Sequence, residues 1–143
     1  MSTIKVDTYL TRGGVSEIAI DKLKGASSAS SISIVGEGGT TTTNLQQGLA
    51  KAWSHLNVNG GTPAIRDTFN IASITDIGTG NTRNTFTNAM SNADFSVPSS
   101  ADAFNFSSVE SYATTSYQHR VANASASSTD RDHNVSAVFG DLA

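Results

Sequence analysis

Apolar and polar residues alternate with a period of two through most of the chain after residue 64. This alternation predicts strands with one buried face. Turn-rich segments separate four such strands, Asp94–Val97, Ala103–Ser107, Ser116–Val121 and His133–Phe139. The side chains expected to point inward are Phe95, Val97, Phe104, Phe106, Tyr117, Val121, Val135, Ala137 and Phe139. The spacing of the turns favours an antiparallel β-sandwich, jelly-roll-like in character, over residues 56–143.

The first part of this β-region carries a bulge and a hairpin signal. Phe69 and Ile71 alternate with polar neighbours, and Ile74 breaks their parity, which predicts a bulge near residues 72–73. The glycines of the segment 77–81 accept a positive φ at little cost, so this segment is expected to form a hairpin turn. The returning strand then contains Phe86.

One segment, 44–53, has the pattern of a short helix. Thr43 followed by Gln46 fits a capping box, and Leu45, Leu49 and Trp53 form one apolar stripe. A helix of about ten residues is not stable alone. We therefore expect a short helix within residues 44–55 that packs its stripe at the axis of a trimer.

The N-terminal residues 1–25 resemble an arm without a core. Two short period-two segments supply its apolar positions, which are Ile4, Val6, Tyr9, Val15, Ile18 and Ile20. Isolated strands of this size are marginal, so the arm either remains a loose terminus or gains order on a partner surface. We favour an anchoring arm. The following residues 26–43, rich in Ser, Gly and Thr, predict either a linker or extended chain around a symmetry axis.

Composition narrows the possible partners. Charged residues make up 15% of the 143-residue chain, its net charge is −3, and it has no cysteine. A negative net charge disfavours a role in binding nucleic acid, and no apolar run approaches the length of a membrane span. The scarcity of charge suits a surface that is largely covered by copies of the same chain.

The chain has three histidines, which are potential metal ligands. The segment 130–133 offers two carboxylates and the imidazole of His133, but a solvated loop explains it more simply. His119 shares its parity with Tyr117 and Val121, so we expect it to point inward and to hydrogen-bond at a subunit boundary. We expect neither a metal nor a cofactor.

Carboxylate pairs offer little support for catalysis. Glycoside hydrolysis needs two acids facing a cleft, and Asp102 and Glu110 are the only faint candidates. Arg66 and Asp67 are expected to form an ion pair at the start of the first strand of the sandwich. The sequence thus indicates a protein that is not an enzyme.

From residue 45 to the C-terminus the chain resembles a module of marine bacteriophage fibre proteins. The matching runs are Leu45–Trp53, Ile65–Asn70, Ile74–Gly80, Phe86–Met90 and Val138–Ala143, with Asn57, Gly60 and Ala64 between them. The start, Ile4–Thr8, looks like the leader that attaches such proteins to the particle. The chain departs from the module at Ile77, where Asn is usual, and at residues 81–83, which weakens the carry-over of any ligand.

This resemblance implies a virion appendage with a β-structured tip, often trimeric and without a catalytic signature. We accordingly expect a short homotrimeric fibre, located in the virion, that contacts capsid, neck or tail proteins and a glycan of the host surface. A capsid decoration (cement) protein, a host-polysaccharide-binding module and a small depolymerase remain alternatives. The expected helical position of Trp53 disfavours a polysaccharide-binding platform, and the missing acid pair disfavours a depolymerase.

Overall fold

The chain folds as a mainly β protein, as its sequence predicts. A computed structural model describes residues 21–25 and 32–143. Its elements, in chain order, are β1 (Ser33–Val35), β2 (Thr42–Asn44), α1 (Leu45–Gly48), β3 (Ala52–Asn57), β4 (Ala64–Phe69), β5 (Ile71–Gly78), β6 (Asn81–Phe86), β7 (Ser99–Ala101), β8 (Phe106–Ala113), β9 (Ser116–Ala122) and β10 (Asn134–Val138). In this described part of the chain no helix is long and apolar enough to cross a membrane.

Two four-stranded antiparallel sheets form the body of the protein. Sheet I has the order β4-β3-β10-β7, and sheet II has the order β5-β6-β9-β8. The strands β1 and β2 form a separate hairpin ahead of them. The sheets face each other, since one apolar cluster joins Ala52 and Val138 of sheet I to Phe86 and Tyr117 of sheet II.

The local signals of the first sheet-II hairpin are confirmed. The register between β5 and β6 shifts between Ile71 and Ser73, where the broken parity predicted a bulge. The hairpin then turns through Thr79 and Gly80, and β6 ends at the buried Phe86. Both features depend on residues close in sequence, so the local pattern was sufficient to predict them.

Two of the four predicted strands have the opposite parity or different limits. Phe104 and Phe106 were expected inside but are 97% and 67% exposed. A left-handed Ala103 (φ 55°) precedes them, and β8 starts at residue 106 with Ser107 and Val109 on its inner face. In β10 the inner side chains are Asn134, Ser136 and Val138, so the predicted inward set Val135, Ala137 and Phe139 was wrong.

Of the other two predicted strands, one is confirmed and one is wrong. Ser116–Val121 lies within β9 and buries Tyr117, His119 and Val121 as expected. Asp94–Val97 is not a strand, although Phe95 is buried and Ser96 forms a single bridge to Phe139. A side chain can therefore reach the core without belonging to a sheet strand.

The predicted helix is wrong beyond its first turn. α1 ends at Gly48, Asn44 rather than Thr43 caps it, and Leu49 is already extended. Residues 52–57 form β3, in which Ala52, Ser54 and Leu56 are buried while the residues between them are half-exposed. Pairing with β10 and β4 on both sides supplies far more contact than an isolated ten-residue helix containing Gly48 could. Leu45, Leu49 and Trp53 thus do not form one helical stripe.

The segment before α1 contains more structure than its composition indicated. The predicted linker 26–43 contains β1 and most of β2, which pair through Ser33 with Asn44 and Val35 with Thr42. The predicted anchoring positions Ile4, Val6, Tyr9, Val15, Ile18 and Ile20 lie outside the described residues. The anchoring arm remains a prediction.

Because neighbouring strands are antiparallel, the segments that connect them lie alternately at the two ends of the sandwich. One end, here called the base, carries α1 and residues 87–98, 114–115 and 139–143. The opposite end, the tip, carries the loops 58–63, 79–80, 102–105 and 123–133. At the base, the Gln47 Nε2 donates to the Asp141 carboxylate at 2.9 and 3.0 Å, and the Lys51 ammonium donates to the carbonyls of Gln46 and Leu49. These contacts join α1 to the sandwich.

Candidate functional site

A groove of about 440 Å³ crosses the outer face of sheet I. It runs over three adjacent strands, β3, β10 and β7. Its lining residues are Trp53, Ser54, His55, Pro98, Ser99, Ser100, Val135, Ser136 and Ala137. The volume falls within the roughly 300–1,000 Å³ typical of small-ligand sites. We call this feature the sheet I groove.

The strand alternation explains the concave shape. On β10 the outward side chains are the small Val135 and Ala137, which form the floor. Trp53 pairs in register with Ala137, and His55 pairs with Val135, so both project along one side of that floor. Directly opposed residues of an antiparallel pair share a face. Ser100 pairs with Val135 from the other side and completes the opposite wall.

The edge strand β4 extends this wall with one aromatic and one acidic side chain. Phe69 lies opposite Trp53, and Asp67 lies opposite His55. Phe69 is 52% exposed and Trp53 is half-buried, so both rings present surface to solvent. The outer face thus has an aromatic row nearer the base and a polar row nearer the tip.

A pair of histidines continues the polar row. The His55 Nε2 and the His133 Nδ1 lie 2.9 Å apart, and their rings are tilted at 32° with centroids 5.2 Å apart. One of the two nitrogens must donate to the other, so at least one ring is neutral when this hydrogen bond forms. Nearby, the Arg66 guanidinium lies 4.0 Å from the Asp132 carboxylate. The expected pairing of Arg66 with Asp67 is therefore wrong.

Hydroxyl groups hold the two sheets together beneath the groove. The Ser136 Oγ lies 2.9 Å from the Ser54 Oγ and 2.7 Å from the Tyr117 hydroxyl. Burial raises the pKa of Tyr117, and the hydrogen bonds from Ser136 and Ser54 oppose that rise. Because the phenol stays protonated, it can donate across the interface between the sheets. The groove floor therefore has a hydrogen-bonded backing.

His119 belongs to a second buried polar cluster. Its Nε2 lies 2.6 Å from the Ser107 Oγ, which in turn donates to the Ser99 Oγ at 2.7 Å. Burial lowers the pKa of His119 to about 4, so the ring is neutral at physiological pH. The expected inward orientation is thus confirmed, but the partner belongs to the same chain. This arrangement contains a serine and a histidine, but His119 is only 1% exposed, so a substrate could not reach its ring.

The remaining candidate residues are distributed over the molecule. Asp102 lies in the 102–105 loop, Glu110 lies on the exposed face of β8, and neither lines the groove. The segment 130–133 braces the tip instead: Gly80 N donates to Asp130 Oδ1 at 2.6 Å, and Asp132 contacts Arg66. Within residues 21–25 and 32–143, no cluster of three or more potential ligands could hold a metal ion.

Sequence reasoning missed the groove because it placed Trp53 on a helix. A usable signal existed in the sequence: Leu56 and Val58 alternate with the polar residues His55, Asn57 and Asn59. The structure continues this alternation back to Ala52 and Ser54, which are buried with Leu56 and Val58. That period of two competes with the helical spacing of Leu45, Leu49 and Trp53, and only the neighbouring strands decide between them.

Comparison with known protein families, curated proteins and solved structures finds no match for this chain. The resemblance to phage fibre modules therefore remains a prediction from the sequence.

Proposed function

We propose that the chain is a structural subunit of a bacteriophage particle that forms a short homotrimeric fibre or appendage. Its N-terminal arm attaches to capsid, neck or tail proteins, and its β-sandwich is exposed at the particle surface. The trimer and a jelly-roll-like character of the sandwich belong to this proposal. The observation that carries it is the separation between the base, where the chain enters through α1, and the loop-bearing tip.

The base is suited to connect an attached N-terminal arm to the sandwich. The chain enters the sandwich through α1, which the Gln47–Asp141 hydrogen bonds hold against the C-terminal segment. The Lys51 ammonium, just before β3, donates to the carbonyls of Gln46 and Leu49. An arm bound to a particle would therefore also fix the orientation of the sandwich, because these hydrogen bonds hold α1 against it. At the opposite end the 102–105 loop presents Phe104, which is 97% exposed, away from that attachment.

The trimer is supported by exposed apolar surface near the entry point. Leu49, directly after α1, is 56% exposed, and it lies at the base beside the buried Lys51. Contact among three copies there would cover such side chains. Leu45 and Leu49 keep their place in the proposed interface, whereas Trp53 lies on β3 with its side chain in the groove.

A host-polysaccharide-binding module is the second candidate function. The observation in its favour is the position of Trp53, which lies on an exposed sheet face beside Phe69. Such a module can also serve as the exposed part of a fibre. A capsid decoration protein differs from a fibre in where it attaches, so its location on the particle separates these two.

The direct test is detection of the chain in purified particles from the source that encodes it. Immunogold labelling and quantification of its peptides should locate it on the particle surface at a copy number divisible by three. A protein that is expressed during infection and absent from intact particles would refute the proposal.

A second experiment addresses the arm. A variant lacking residues 1–25 should fold, remain trimeric and no longer copurify with particles, while the isolated arm should compete with the full chain for attachment. Incorporation of the truncated protein at normal copy number would refute anchoring by the arm.

A further inference from the structure

We propose that the sheet I groove binds a neutral polysaccharide, with sugar rings stacked on Trp53 and Phe69. This inference deepens the proposed function by naming the partner class of the exposed domain. It rests on the groove itself, so it can fail while the chain is still found in particles, and the reverse also holds.

The arrangement of side chains matches the two-sided character of a sugar ring. A pyranose has an apolar face of C–H groups and a rim of hydroxyls, so it needs a flat apolar surface with hydrogen-bonding groups beside it. Trp53 and Phe69 are neighbours across β3 and β4 and offer the flat surface. The next outward-facing pair toward the tip, His55 and Asp67, offers a ring nitrogen and carboxylate oxygens.

The shape favours a chain of sugars over a compact ligand. The groove crosses three strands and is open to solvent, and its floor is low because Val135 and Ala137 are small. On the far wall Ser100 supplies a hydroxyl opposite the His55 wall. A linear saccharide can thus lie along the floor and meet polar groups on both sides.

The charges favour a neutral ligand. None of the groove-lining residues is charged, and the carboxylate of Asp67 lies beside them, opposite His55. Arg66 is engaged by Asp132, and the Lys51 ammonium is buried against the carbonyls of α1 and Leu49. A polyanion such as nucleic acid or a uronic acid polymer would meet the Asp67 carboxylate, while no Lys or Arg lines the groove to bind it.

The groove is also held in shape before any ligand arrives. The backbone beneath Trp53 and Ala137 carries Ser54 and Ser136, which bond to each other and to Tyr117 of sheet II. Strands held by such hydrogen bonds lose little conformational entropy when a ligand binds. More of the favourable contact energy therefore appears as affinity.

The single tryptophan of the chain makes the experiment specific to this site. The full-length protein is titrated with neutral probes (laminarin, mannan, dextran and their oligosaccharides) while Trp53 emission and its quenching by acrylamide are followed. At least one neutral probe should shift the emission and protect the indole, and the same polysaccharide should retard the protein in native affinity gels. Alginate and heparin serve as anionic comparisons.

Substitutions test whether the polysaccharide binds in the sheet I groove or at another surface. Phe69→Ala removes a half-exposed ring at an edge strand and keeps the tryptophan signal, and it should weaken binding about tenfold. Trp53→Ala, followed by gel retardation, should abolish binding. The matched control Phe104→Ala removes the most exposed aromatic ring of the tip and should leave the affinity unchanged.

Three outcomes would overturn the proposal. The first is that no neutral probe protects Trp53 or retards the protein. The second is that only alginate or heparin binds, which would assign an anionic ligand. The third is that acrylamide quenching falls with rising protein concentration alone, because a second copy of the chain would then occupy the groove.

Discussion

The hydroxyl of Tyr117 lies 2.7 Å from the Oγ of Ser136 and thereby joins sheet II to sheet I through the interior of the sandwich. Ser136 also contacts Ser54, so three hydroxyl groups share one buried network. In most sandwiches apolar side chains occupy such central positions. Here the polar residues Ser54, Asn84, His119, Asn134 and Ser136 are buried beside the apolar cluster. The hydrogen-bonded network of Ser54, Ser136 and Tyr117 therefore supports the fold beside the apolar packing.

Tyr117→Phe should lower the free energy of unfolding by about 1–2 kcal/mol, because it removes one buried hydrogen bond while preserving the ring. Denaturant titration monitored by circular dichroism measures this change. Tyr112→Phe is the control: its side chain is 43% exposed, and the substitution should have little effect. Equal stability of the two variants would show that the cross-sheet hydroxyl does not stabilise the fold.

Acid should destabilise the protein through His119. Burial lowers its pKa from 6.5 to about 4, so between these values the unfolded chain binds a proton that the folded chain excludes. The contribution is complete above pH 6.5 and is lost as the pH falls toward 4, by at most about 3 kcal/mol. Melting temperatures measured across this range should fall with the pH.

The variant His119→Gln should lose that part of the pH dependence, since Gln can still contact Ser107 and carries no titrating group. Ser107→Ala is the companion variant. It removes the partner but leaves the imidazole buried, so the pH dependence should persist. A profile for His119→Gln parallel to that of the unaltered protein would contradict this assignment.

Gly80 should tolerate no side chain. Its φ is +67°, and an added Cβ would lie 2.4 Å from the Val121 carbonyl oxygen and 2.6 Å from the Thr129 amide nitrogen. Gly80→Ala should therefore lower the free energy of unfolding by more than about 3 kcal/mol. Gly60→Ala is the control, because Gly60 also has a positive φ, +97°, but faces open space. That control should lose only about 1 kcal/mol, and similar losses in both variants would show that the turn relaxes.

Leu49→Asp tests the proposed trimer interface. Because Leu49 is 56% exposed in the single chain, the substitution should change the stability of the isolated domain by less than about 0.5 kcal/mol. It should nevertheless dissociate the trimer, since three symmetry-related carboxylates would be buried together. Sedimentation velocity at micromolar concentration separates the two states. Ile77→Asp, a similar change on the edge strand β5 at a 43% exposed site, should leave the trimer intact. A trimer that survives Leu49→Asp would remove Leu49 from the interface.

The sequence alone determined the features that depend on residues close together. The mainly β class, the bulge near Ser73, the turn through Gly80 and the inward face of Tyr117 and Val121 all follow from local alternation and glycine positions. Such patterns are short-range, and each residue in them has one preferred side of a pleated strand.

Only the tertiary structure decided the features that depend on partners distant in sequence. Residues 45–53 carry a helical and a strand pattern together, and pairing with β10 and β4 selected the strand for Trp53. The inner face of β10 could not be inferred either, because Ser136 is acceptable inside only where Tyr117 and Ser54 satisfy it. The sheet I groove depends on both: on the strand conformation of Trp53 and on which face of β10 points outward. A binding face built from several strands exists only once their register is set, and register is a property of the assembled sheet.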